Sequence, residues 1–107
     1  AMTESQIHIA IVKELRSRGL LLIHCPNEGY RTPSEAARLR AMGVSAGVPD
    51  LLIMTNPPIA MEVKTQHGKL TDRQLQWLEA LQSVGWKCYV VRSLEDAITV
   101  LDQEGKA

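Results

Sequence analysis

Apolar positions along the chain fall into alternating helical and strand rhythms. From Thr3 to Arg18, Ile7, Ile11 and Leu15 return every fourth residue, Thr3-x-x-Gln6 has the form of a capping box, and Gly19 supplies a stop. This predicts an amphipathic helix. Leu20 to Cys25 (LLLIHC) is a short apolar run that ends at the turn cluster Pro26-Asn27-Glu28-Gly29 and reads as a strand. Ser34 to Met42, entered through Thr32-Pro33 and closed by Gly43, reads as a short basic helix. After the Gly-containing loop VSAGVP come two strand-like runs, Asp50-LLIM and Ile59-AMEVK, joined by Thr55-Asn56-Pro57-Pro58, a connection short enough for a hairpin. Thr71 to Val84 repeats the capping-box form in Thr71-x-x-Gln74, carries Leu75, Leu78 and Leu81 on one face, and is followed by Gly85. Trp86 to Arg92 is rich in strand formers, and Ser93 to Leu101 opens with an N-cap serine and acidic residues. The order α-β-α-β-β-α-β-α predicts an α/β fold, a mixed β-sheet flanked by helices.

At 107 residues with no repeat or flexible linker, residues 1–107 read as one domain, with Ala1-Met2 as a scar before a natural start. A chain of this size hides roughly two thirds of its unfolded surface, so neither disulfide nor metal is needed to hold it. No run approaches the ~20 apolar residues of a membrane span, and the N-terminus lacks a signal-peptide layout, so no membrane partner and a cytoplasmic location are expected. Cys25 and Cys88, both in strand-like runs, read as reduced core thiols. The formal net charge of zero argues mildly against a nucleic-acid coat protein, and two Trp, two Tyr and no Phe leave little material for base-stacking platforms. Neither observation excludes an enzyme that holds phosphate through a metal ion.

Candidate chemistry concentrates in GVPDLLIMTNPPIAMEVK. On a strand, Glu62 and Lys64 share one face while Met61 and Val63 take the other, and hairpin pairing would bring Asp50 close to Glu62. Two carboxylates repel unless a cation lies between them, and oxygen ligands suit Mg²⁺ or Mn²⁺ rather than Zn²⁺. A lysine beside such an ion can position or deprotonate water, which together makes a phosphodiester hydrolase. A bare E-x-K is more often a surface ion pair; its setting in apolar strand residues, after a strand-initial Asp, favours a metal site.

Glu4 falls in line with Ile11 and Leu15 on the helical wheel, so it either reaches that site or simply favours the helix N-terminus. Glu14, at the edge of the same stripe, is expected in surface pairing. Gln74 either closes its capping box or reaches the site, since one conformer cannot do both. His24 reads as a satisfied strand histidine, because no second Cys or His stands at zinc-ligand spacing. His67, with Lys69, either meets a phosphate or belongs to a solvated loop. Arg31, Arg38, Arg40, Lys69 and Arg73 flank the site and would form a phosphate-contacting rim, or else solvated helix faces.

The stretch from Glu4 through Val100, with GVPDLLI, MEVK and LTDRQLQWLEALQSVGWKCYVVRSLEDAITVL, resembles the virus-type replication-repair nuclease domain, VRR-NUC, of the PD-(D/E)xK superfamily. Its acid, acid-x-lysine core maps onto Asp50, Glu62 and Lys64, its helix-borne acid onto Glu4 and its late glutamine onto Gln74. The resemblance implies a restriction-endonuclease-like core and a Mg²⁺- or Mn²⁺-dependent DNA endonuclease. Asp50, Glu62 and the Val63 carbonyl would be its ligands, Glu4 would help through water, and Lys64 would position the attacking water. It further implies a homodimer that cuts branched DNA such as four-way junctions. Rival readings are a same-fold nuclease acting on flaps or other nucleic acid, and a non-catalytic DNA-binding or dimerisation module. Glu28 departs from the small residues that relatives often carry in that turn, and its role is left open.

Overall fold

The computed structural model describes residues 1–26 and 32–106. Arg31 and Glu28 therefore lie outside the described residues. The elements run α1 (Glu4–Ser17), β1 (Leu22–His24), α2 (Pro33–Ala41), β2 (Leu51–Ile53), β3 (Ile59–Val63), α3 (Asp72–Ser83), β4 (Lys87–Val91) and α4 (Leu94–Gln103), the order that the apolar rhythm predicts. Both capping boxes are formed: Thr3 with Gln6, and Thr71 with Gln74. Their reciprocal bonds satisfy amide donors that a helix start otherwise leaves open.

The sheet is four-stranded in the order β1-β2-β3-β4. β1 and β2 pair antiparallel, as do β2 and β3, whereas β3 and β4 are parallel with α3 as the crossover. The β2–β3 pair follows from a short return, β1 reaches β2 through a longer connection that carries α2, and the parallel β3–β4 pair requires the helical crossover. The hairpin turn between β2 and β3 contains a cis Asn56–Pro57 bond.

Alternation along β2 and β3 separates core from chemistry. Leu51, Ile53, Ile59, Met61 and Val63 join Ile7, Ile11 and Leu15 of α1 and Ala97, Val100 and Leu101 of α4 in one buried cluster. Glu62 occupies the opposite face of β3, and Lys64 follows directly after the strand. The strand expected over Leu20–Cys25 is shorter, so Cys25 lies just beyond β1. Both cysteines are free and half-buried rather than core thiols, since β1 and β4 are the sheet's edges and cover them only in part. Among the described residues no helix is long and apolar enough to cross a membrane.

Candidate active site

Asp50 stands immediately before β2, and Glu62 is the fourth of five residues in β3. The register that pairs Leu51 with Met61 brings the two acids abreast at one end of the hairpin. Asp50 is held from two sides. Its Oδ2 accepts from the Val63 amide at 2.8 Å, and its backbone carbonyl lies 2.8 Å from Nδ1 of His24. A carbonyl only accepts, so His24 carries its proton on Nδ1. The loop before Asp50 is docked on α3: the Trp77 indole donates to the Ala46 carbonyl at 3.0 Å. Gly47, at φ +84°, comes so near α3 that a Cβ there would stand 2.8 Å from that of Arg73.

Glu62 is 2% exposed, and its Oε2 has no hydrogen-bond partner. Burial pushes its carboxyl up to about 9; a hydrogen bond with Asp50 and the Asp50 charge push the same way, Lys64 draws it down, and Glu4 adds to the rise. A buried carboxyl oxygen without a donor, beside a second carboxylate, is the environment that a hard cation relieves. The residues present therefore fit Mg²⁺ or Mn²⁺. Among the described residues no group of three or more His, Cys, Asp or Glu converges to hold a metal. Asp50 and Glu62 are the two carboxylates that could hold such an ion, which commonly keeps several waters.

Lys64 follows β3 directly, is 9% exposed, and donates its amide to the Val91 carbonyl at 3.0 Å. The segment after it is clamped by Arg92, whose Nη1 donates to the carbonyls of Thr65 and Gly68 at 2.7 Å each and of Gln66 at 3.3 Å. Glu4 is exposed but lines a cavity of about 180 Å³ together with Asp50, His8 and His24.

Gln74 is committed elsewhere. Its Oε1 accepts from the Thr71 amide at 2.9 Å, so in this conformer it caps α3 and does not reach the acids. Glu14 pairs with Arg18 at 2.8 Å, the surface role its position suggests. Arg38, Arg40, Lys69 and Arg73 are exposed, as is His67 in the loop after Lys64. His24 is satisfied, as expected, but it also borders the acid cavity, with its ring edge-on to His8 at 4.4 Å between centroids. Neither that histidine pair, nor Arg92, nor Trp77 emerges from the sequence as part of the site. For His8 a signal existed, since it lies one helical turn after Glu4.

A model of the VRR-NUC domain matches residues 2–95. Similar solved structures include a VRR_NUC domain protein (TM-score 0.76, 23% identity, covering 95% of this chain and 87% of that one). Another is a VRR_NUC domain (TM-score 0.66, 22% identity, covering 95% and 97%). No curated protein matches the sequence.

Proposed function

The chain belongs to the VRR-NUC domain family, a family of nucleases, and from that membership we propose that it is a Mg²⁺- or Mn²⁺-dependent DNA endonuclease selective for branched DNA such as four-way junctions, acting as a homodimer. The observation that carries the catalytic part is the buried Glu62 oxygen without a partner, beside Asp50 and with Lys64 directly after the strand. Asp50, Glu62 and the Val63 carbonyl would hold the ion, which when bound supplies polarisation of a phosphoryl oxygen and a more acidic water. Val63's amide orients the Asp50 carboxylate so that one of its oxygens stays available. The Lys64 ammonium would hold the attacking water by donating a hydrogen bond to its oxygen. Arg92, by gripping the loop after Lys64, keeps that side chain in register with the acids.

Branch selectivity and dimerisation draw their support from the family resemblance. The charge balance supports them too, because two neutral protomers can bring the rims of Arg38, Arg40, Lys69 and Arg73 together around two centres. The test is cleavage of labelled four-way junction, flap and linear duplex with Mg²⁺ or Mn²⁺, comparing wild type with Lys64→Ala, alongside the solution mass. Metal-dependent cutting confined to the junction and lost in the variant, by a dimer, is the expected result. Equal cutting of all three substrates would remove branch selectivity. Tight binding without cutting would make the chain a non-catalytic module.

A further inference from the structure

The acid cavity does not end at Glu4 and Asp50. It shares His8, Ile9 and His24 with a second, larger hollow of about 510 Å³ that runs between α1 and β1. The shared residues place the two hollows side by side along α1. Among the described residues no acidic side chain lines the larger part; its cations are Lys13 and Arg16 of α1, and Val12 and Leu22 form an apolar floor. The ion pairs among the described residues join Arg18 to Glu14 and Asp102, so Lys13 and Arg16 enter none of them. Ile9 is 67% exposed at the junction of the two parts, an apolar surface offered to solvent beside charge.

Helical spacing explains the arrangement. His8, Val12 and Arg16 follow one another at intervals of four, and Ile9 and Lys13 form the adjacent row, so the stripe faces β1 while Ile7, Ile11 and Leu15 face the core. From Glu4 to Arg16 the helix rises about 18 Å, the axial length of about five nucleotides along one strand of a duplex. A hollow that adjoins the carboxylate cluster, has no acid among its described lining residues and carries two cations outside the described ion pairs is complementary to a polyanion, and its apolar floor suits sugar rings.

We infer that this α1–β1 groove is the path along which a nucleic-acid strand leaves the carboxylate cluster, with Lys13 and Arg16 each engaging a backbone phosphate. The inference rests on the nuclease reading and adds to it a binding track on α1, separate in the chain from the arginines of α2. Phosphate contacts of this kind fix position and carry no base sequence.

The test is fluorescence anisotropy of labelled four-way junction and linear duplex across a salt series, with Mn²⁺ present and in a Lys64→Ala background that prevents turnover. Removing two phosphate contacts through Lys13→Ala with Arg16→Ala should lower the slope of log affinity against log salt by about 1.4 to 1.8. It should weaken binding roughly tenfold, irrespective of base sequence. Lys87→Ala, at the far edge of the sheet, should leave the slope at its starting value. An unchanged slope in the double variant overturns the groove, as does an equal fall with Lys87→Ala, which would mark diffuse attraction. If Lys64-intact protein cuts no DNA, the nuclease reading fails by itself; if it cuts and the slope does not move, only the groove fails.

Discussion

β3 and α2 treat charge in opposite ways. Every residue of β3 is buried, and the strand takes Glu62 into that burial, with Lys64 directly after it. α2 is nearly twice as long, has no buried residue, and holds Arg38 and Arg40 at the surface. In β3 the core fixes side-chain position and desolvation shifts protonation, which is what chemistry at a phosphorus atom needs. In α2 nothing is fixed beyond the helix itself, and solvated cations keep the charge and freedom that suit contact with a polymer backbone.

The sharpest way to break that contrast is through the buried pair. Lys64→Ala should lower cleavage by about a thousandfold while sparing Mn²⁺ binding, and retained wild-type rates would remove the lysine from the reaction. Asp50→Ala or Glu62→Ala should abolish Mn²⁺ binding in a calorimetric titration and leave the fold intact or more stable, because repulsion between carboxyls is relieved; unchanged binding in both would sink the site assignment. The same burial has a pH signature. Glu62 is raised in the folded state from 4.5 to about 9, so its contribution to metal-free stability is full below 4.5 and is lost as pH rises toward 9. Melting temperatures of the metal-free protein should therefore fall across that window more steeply than those of Glu62→Gln, and Mn²⁺ should restore most at the alkaline end. Equal slopes for the two proteins would contradict the burial of a titrating Glu62.

Next in size is the cost of the core that fixes β3. Met61→Ala, at a fully buried position, should destabilise by about 2–5 kcal/mol in denaturant unfolding. Gly47→Ala should cost about 1–3 kcal/mol, since it imposes φ +84° on a side chain that also meets Arg73. It should cut activity as well, by displacing Asp50. Smallest for stability is α2: Arg38→Ala with Arg40→Ala should change unfolding by less than about 0.5 kcal/mol, yet lower the salt slope of DNA binding by about 0.9 per contact. A large loss of stability there would show that α2 belongs to the fold's core and would erase the contrast.

Much of this is legible in residue order. Intervals of four in α1, the two Thr-x-x-Gln boxes, and the short turn at Thr55–Pro58 specify local structure through hydrogen bonds and faces that lie within a few residues. Asp50, Glu62 and Lys64 are legible for the same reason: strand alternation and hairpin register are local rules. Gln74 shows the limit, because its spacing fits two roles and only the observed bond to Thr71 selects the cap. Arg92 and Trp77 show it more strongly. Arg92 meets Gly68 and Trp77 meets Ala46 across long stretches of chain, and no periodicity encodes such meetings.

By itself, then, the sequence determined the order of elements, the buried stripes and the acid-acid-lysine set, because each depends on backbone periodicity and short-range pairing. The tertiary structure alone decided how strongly Glu62 is desolvated, that His8 and His24 both border the acid cavity, and that α1 and β1 line a hollow bearing Lys13 and Arg16 beside it. Those properties arise from surfaces contributed by segments distant in the chain, whose solvent exclusion and proximity exist only once the sheet and its helices have closed on one another.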